Sequence, residues 1–222
     1  MMLILASASP RRRALLQQVG VVFQVKCSNV AEMIDLSLPP EEMVQQLALQ
    51  KAAAVAAEQS EGLVLGADTV VVNDGVLLGK PASLEEAAAM LQGLSGKWHQ
   101  VMTAVALVDA SGQKEPWVAV EKTGVKFRDL TKADIAAYLA TGESMDKAGA
   151  YGIQGYGALL VEKIEGCYFN VVGLPLQQVA AGLRNWGMNL YAYHNCVQDE
   201  SLSAACPPAG ADGDAGSSAV KR

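Results

Sequence analysis

Residues 63–72 read Leu-Val-Leu-Gly-Ala-Asp-Thr-Val-Val-Val, a run apolar enough for a buried strand, with the single charge of Asp68 inside it. An unpaired carboxylate in such a strand costs several kcal/mol, a large share of a typical domain's stability. Asp68 must therefore face a cleft, bind a metal or pair with a cation. On spacing, Lys80 in Gly79-Lys80-Pro81 is a candidate partner or anion ligand, and a purely structural Asp68–Lys80 pair is the alternative.

The segments around this strand alternate in period. Residues 3–6 read as a short strand; Ser9 and Pro10 fit an N-cap and first helical position, and the helix runs to Val19 before Gly20 stops it. Residues 21–27 form a second strand. Pro39 and Pro40 open a long helix over 41–58, with Met43, Leu47 and Ala54 on one stripe. Asn73-Asp74-Gly75 turns the chain after residue 72, and Ser83 with Glu86 matches a capping box for a helix that Gly93 ends. Residues 101–108 and 117–127 pair as a hairpin through Ser111-Gly112. Thr131 and Asp134 cap a helix to Leu139, and 143–157 is a Gly-rich loop. Residues 159–164 and 167–172 read as another hairpin turning at Glu165-Gly166, and Pro175 starts the last helix, which ends near Gly187. Early alternation and later hairpins predict an α/β protein with a mixed sheet. Residues 1–194 form one domain in this reading. Residues 195–222, with Pro207-Pro208 and little to bury, form a disordered tail.

Composition narrows the function. The chain of 222 residues is 51% hydrophobic and carries a net charge of −6, which argues against a general nucleic-acid binder. No apolar run approaches the roughly 20 residues that span a bilayer, so the expectation is a soluble cytoplasmic protein. Cys27, Cys167, Cys196 and Cys206 lack metal-ligand spacing, and His99 and His194 are the chain's histidines, which leaves zinc improbable.

An anion site, if present, is local. Arg11, Arg12 and Arg13 crowd the first turn of a helix, where the macrodipole already presents about half a positive charge. Stability alone favours acids there, whereas unpaired amides and guanidinium groups after a strand suit a polyphosphate. A solvated basic cluster is the plainer alternative. Lys51, Glu32 and Lys147 are weaker signals that could add a metal ligand and phosphate contacts around Asp68, and hard oxygen ligands with a triphosphate suggest magnesium or manganese.

Leu5-Ala6-Ser7-Ala8-Ser9-Pro10-Arg11-Arg12 resembles the opening signature of the Maf-like nucleotide pyrophosphatases. Gly66-Ala67-Asp68-Thr69, Gly79-Lys80-Pro81, Gly149-Ala150-Tyr151-Gly152-Ile153-Gln154-Gly155 and Val172-Gly173-Leu174-Pro175 follow in that family's order. The resemblance implies a two-lobed α/β fold with a central nucleotide-binding cleft, a homodimer, and release of pyrophosphate from a nucleoside triphosphate. By position, Asp68 is similar to the family's proton acceptor and, with Glu32, to its ligands for Mg2+ or Mn2+. Ser7, Arg11, Arg12, Lys51 and Lys80 are similar to its phosphate contacts. Arg11, Thr69 and Gln154 match the branch selective for the pyrimidines dTTP and UTP; the branch that prefers methylated guanosine triphosphate carries Trp, Gln and Glu there. The family often has two acids in sequence where this chain has Ala31-Glu32. A nucleotide-binding regulator without catalysis is the rival reading, and it would not need Asp68.

Overall fold

A computed structural model describes residues 1–27 and 38–190. Glu32 and the expected tail lie outside the described residues. The chain orders as β1 (Leu3–Leu5), α1 (Pro10–Gln18), β2 (Phe23–Val25), α2 (Pro40–Ala56), β3 (Leu63–Asn73), β4 (Val76–Leu78), α3 (Leu84–Leu94), β5 (Trp98–Asp109), β6 (Trp117–Phe127), α4 (Lys132–Leu139), β7 (Val161–Glu165), α5 (Tyr168–Val172) and α6 (Leu176–Asn185). Short 3-10 turns occupy Ala148–Ala150 and Gly155–Leu160.

The strands form one seven-stranded mixed sheet in the order β2-β1-β3-β5-β6-β7, with β4 also on β3. The parallel pairs β1–β2 and β1–β3 come from the segments where helices and strands alternate; the antiparallel pairs β3–β4 and β5–β6 are hairpins, while β3–β5 and β6–β7 are joined through α3 and α4. Side chains alternate across a strand, so odd and even positions of β1 and β3 enter different layers. Leu3, Leu5, Leu63, Leu65 and Ala67 pack with Leu15 and Leu16 of α1 and Val179 and Leu183 of α6. Ile4, Val64, Val70 and Val72 pack instead with Val44, Leu47, Ala48 and Ala52 of α2. A third cluster gathers Val71, Leu91 of α3, Tyr138 of α4, Phe127 and Tyr151.

β3 changes partner along its length, and that positions the site. Leu63–Leu65 pair with β1 and Val71–Asn73 with β4, while β5 pairs along the opposite edge from Leu63 to Val72. Residues 66–70 are left with a strand on one side only.

Three expectations change. Residues 167–172 are not a strand: residues 168–172 form the helix α5, closed by Gly173 in the left-handed region at φ 117°. Its aromatic and β-branched residues favour strands as isolated types, but packing against β5 and β6 overrides so weak a preference. Residues 159–160 finish a 3-10 turn before β7. α3 runs through Gly93 to Leu94.

Candidate active site

The open window of β3 carries Gly66-Ala67-Asp68-Thr69. A Cβ on Gly66 would lie 2.4 Å from the Ala48 carbonyl oxygen and 2.8 Å from the Ala52 amide nitrogen, so only glycine lets α2 rest this closely on β3. That contact brings Lys51, three residues beyond Ala48, to the even face of the strand. Lys51 Nζ donates to Asp68 Oδ1 at 2.5 Å, and the two side chains are only 18% and 14% exposed. The partner of Asp68 is thus Lys51 and not Lys80. Spacing in sequence favoured Lys80, but Lys80 lies beyond β4, is exposed, and has no ion-pair partner among the described residues. The other oxygen of Asp68 accepts no hydrogen bond among the described residues.

Thr69 points to the opposite face, where Arg12 occupies the gap that a neighbouring strand would fill. Arg12 Nη1 donates to the Ala67 carbonyl at 2.8 Å and to Ser7 Oγ at 3.2 Å, Nη2 donates to Thr69 Oγ1 at 3.2 Å, and Nε to the Gly173 carbonyl at 2.9 Å. A planar fork of fixed donors suits this task, since it meets acceptors from three chain segments at once. Ser7 Oγ also accepts from the Ser9 amide at 3.2 Å, and the Ser9 side chain caps α1 by accepting from the Arg12 amide at 3.5 Å. These bonds fix the turn from β1 into α1 beside the window.

Arg11 projects from the same first turn toward the Gly-rich loop, 3.6 Å from Asp146 Oδ2, and its side chain keeps 30% exposure. Lys147, which the sequence offered as a phosphate contact, donates to the Glu143 carbonyl at 2.5 Å and to Asp146 Oδ1 at 2.6 Å, so it braces the loop. The Gly149 amide donates to the Gly79 carbonyl at 3.0 Å, which ties the loop to the segment bearing Lys80. Burial pushes the Tyr138 phenol up to about 12; it stays neutral and accepts from the Gly152 amide at 3.4 Å. Gln154 is exposed at the head of the following 3-10 turn, where the Glu143 carboxylate accepts from the amides of Tyr156 and Gly157 at 3.3 and 3.4 Å. Gly155, at φ 67°, leaves that carboxylate room: a Cβ would come within 2.4 Å of Glu143 Oε1.

Two groups thus converge on one opening in the sheet. Lys51 and Asp68 meet on the α2 face. Ser7, Arg12 and Thr69 meet on the other face, with Arg11 and the loop bearing Gln154 nearby. Sequence reasoning missed Glu143, Thr103, Asn170 and the carbonyl of Gly173. Thr103 and Asn170 carried the same signal as Asp68, a polar residue inside an apolar run.

Residues 2–186 match the family described as Maf-like protein. The chain is 55% identical over 189 residues to a dTTP/UTP pyrophosphatase of Moorella thermoacetica, an alignment covering 85% of this chain and 97% of that one. It is 52% identical over 188 residues to a dTTP/UTP pyrophosphatase of Pelotomaculum thermopropionicum, covering 85% and 98%. It is 53% identical over 185 residues to one from a Geobacillus species, covering 83% and 98%. A family match over residues 2–186 and relatives 52% to 55% identical almost from end to end place this chain in the Maf-like family.

Proposed function

We propose that this protein hydrolyses nucleoside triphosphates, dTTP and UTP foremost, to the monophosphate and pyrophosphate, with Asp68 as the proton acceptor. The supporting observation is the state of Asp68: Lys51 holds one oxygen, the other accepts no hydrogen bond among the described residues, and residues 66–70 of β3 have a strand along one edge only. A carboxylate so oriented can take a proton from a water placed for in-line attack at the α-phosphorus. The water oxygen forms the new bond, the α–β anhydride bond breaks, the proton passes to Asp68, and pyrophosphate leaves. Arg11 and the exposed Lys80 offset the charge gathering on pyrophosphate, while Arg12 and Ser7 fix the turn that bears Arg11. Gln154 and Thr69 read the ring.

The residues fit a divalent cation of the Mg2+ or Mn2+ kind. Such ions take hard oxygen ligands and are usually held by one or two carboxylates plus substrate phosphates. Asp68, with one oxygen held by Lys51 and the other accepting no hydrogen bond among the described residues, is a hard oxygen donor of that kind. Asp68 and Glu32 would hold the ion together with the substrate phosphates. When bound, the ion polarises the phosphoryl group and offsets its charge. We assign the protein to the cytoplasm as a homodimer; no helix among the described residues is long and apolar enough to cross a membrane.

Pyrophosphate release measured over dTTP, UTP, ATP and GTP with magnesium tests this reading. Higher kcat/KM for dTTP and UTP is expected, because a site fitted to a pyrimidine excludes a second ring and leaves buried groups unmatched by the wrong base. Equal values across the four would remove the pyrimidine assignment, and no release from any would remove the activity.

A further inference from the structure

Gln154 stands where the Gly-rich loop has little side-chain packing to hold it. Ile153 before it is buried in the core, whereas Gln154, Gly155 and Tyr156 are all exposed. Gln154 is the N-cap of the 3-10 turn Gly155–Leu160, yet its side chain makes no capping hydrogen bond. The first amides of a helical turn have no partner inside it, and an N-cap side chain ordinarily accepts from the second or third of them. Here Glu143, at the start of the loop, does so instead. The Tyr156 amide donates to its Oε1 at 3.3 Å and the Gly157 amide to its Oε2 at 3.4 Å.

Glu143 is itself held in place. Its amide donates to Thr141 Oγ1 at 3.3 Å, and its carbonyl accepts from Lys147 Nζ at 2.5 Å. The turn is cut to fit the carboxylate: a Cβ on Gly155 would lie 2.4 Å from Oε1 and 3.0 Å from Oε2. The two limbs of the loop also meet on either side of Gln154, since a Cβ on Gly157 would come within 1.9 Å of the Gly152 carbonyl oxygen. The limb before Gln154 is anchored by the buried Tyr151 and Ile153 and by the bond from the Gly152 amide to the Tyr138 hydroxyl. On the limb after it, the amides of Tyr156 and Gly157 are anchored by Glu143.

We propose that Glu143 is a positioning residue for base recognition: it caps the 3-10 turn in place of Gln154, fixing the Gln154 backbone while sparing that side chain for the ring. The proposal rests on the reading of Gln154 as a ring contact. Both carboxylate oxygens are needed, one for each amide. A glutamine at 143 has the same shape but would turn an NH2 group toward one of them, donor against donor. Without the cap the exposed backbone at 154–156 samples other conformations. A ligand that requires one of them then binds more weakly, in proportion to how seldom it is populated. The loss falls on KM, because Asp68 and Lys51 are carried by β3 and α2 and not by the loop.

The test is KM and kcat for dTTP, with GTP as the reference base, measured by pyrophosphate release alongside melting temperature. Glu143→Gln should raise KM for dTTP about 5-fold with little change in kcat, and lower the dTTP-to-GTP ratio of kcat/KM to match. It should melt within a few degrees of the wild type, as the loss of one cap requires. Gln154→Ala should lower the ratio as well. Adding Glu143→Gln to it should lower the ratio no further, since both act through one side chain; a merely structural lesion would add its own loss. Gly155→Ala, whose methyl would crowd Oε1, should act like Glu143→Gln. A folded Glu143→Gln with the wild-type KM and ratio overturns the proposal, and so does a loss confined to kcat or one that adds to that of Gln154→Ala. Should Glu143→Gln fail to fold, a wild-type ratio in Gly155→Ala overturns it instead. A wild-type ratio in Gln154→Ala removes the ring reading and this proposal with it, whereas a lowered one there beside an unchanged one in Glu143→Gln removes the proposal alone.

Discussion

A polar side chain inside this sheet is held by specific acceptors or it loosens the fold, and His99 is the instructive residue. It lies in β5 at 4% exposure, edge-on to Phe127 and Tyr151, with Nε2 2.7 Å from the Tyr151 hydroxyl and Nδ1 buried without a partner. Burial pushes its imidazole from 6.5 down to about 4. The sign follows: above pH 6.5 neither the folded nor the unfolded chain carries the proton, and His99 imposes no pH dependence. As pH falls from 6.5 toward 4 the unfolded chain takes a proton the folded one refuses, so stability is lost across that window. By pH 5 the loss is roughly 2 kcal/mol. Between pH 7 and pH 5 the wild-type melting temperature should fall several degrees more than that of His99→Phe; parallel pH profiles would show that the imidazole titrates freely in the fold. Asp68 was conspicuous in the sequence because a charge in an apolar run has few lawful places. Thr103 and Asn170 also interrupt apolar runs, but their partners include main-chain carbonyls of distant segments, and such acceptors leave no mark on a sequence. Arg12 was visible as a misplaced cation, but not that its donors would meet Ala67, Thr69 and Gly173.

At the scale of elements, the helix starts were legible because capping chemistry is local. Ser9 and Pro10 begin α1, Ser83 caps α3 and Thr131 with Asp134 forms the capping box of α4, as their side chains require. Residues 167–172 were not legible, because what makes α5 a helix is the layer beneath it. The placement of α2 was not legible either, and it hinges on Gly66. Gly66→Ala would drive a methyl into the Ala48 carbonyl, 2.4 Å away, and the helix would have to lift. Overpacking of this kind costs about 1–3 kcal/mol, or about 5 °C in a domain of this size. Because Lys51 rides on the same helix, pyrophosphate release should fall together with the melting temperature. A variant that keeps both would show that α2 does not set the Lys51–Asp68 contact.

For the whole molecule, the decisive feature is that β3 trades β1 for β4 halfway along and leaves residues 66–70 without a strand on one edge. Alternation along those residues sends Asp68 to one face and Thr69 to the other, so this stretch presents a carboxylate on one layer and a hydroxyl on the other. The α/β alternation announced the sheet; the fork was hidden because β4 is three residues long and follows a tight turn. The account stands on Asp68, and Asp68→Asn tests it most directly. Asparagine keeps an oxygen for Lys51 to donate to but cannot take a proton from water, so the variant should melt close to the wild type while pyrophosphate release from dTTP falls roughly 100- to 10,000-fold. A folded Asp68→Asn that turns over within a few-fold of the wild type would contradict the account.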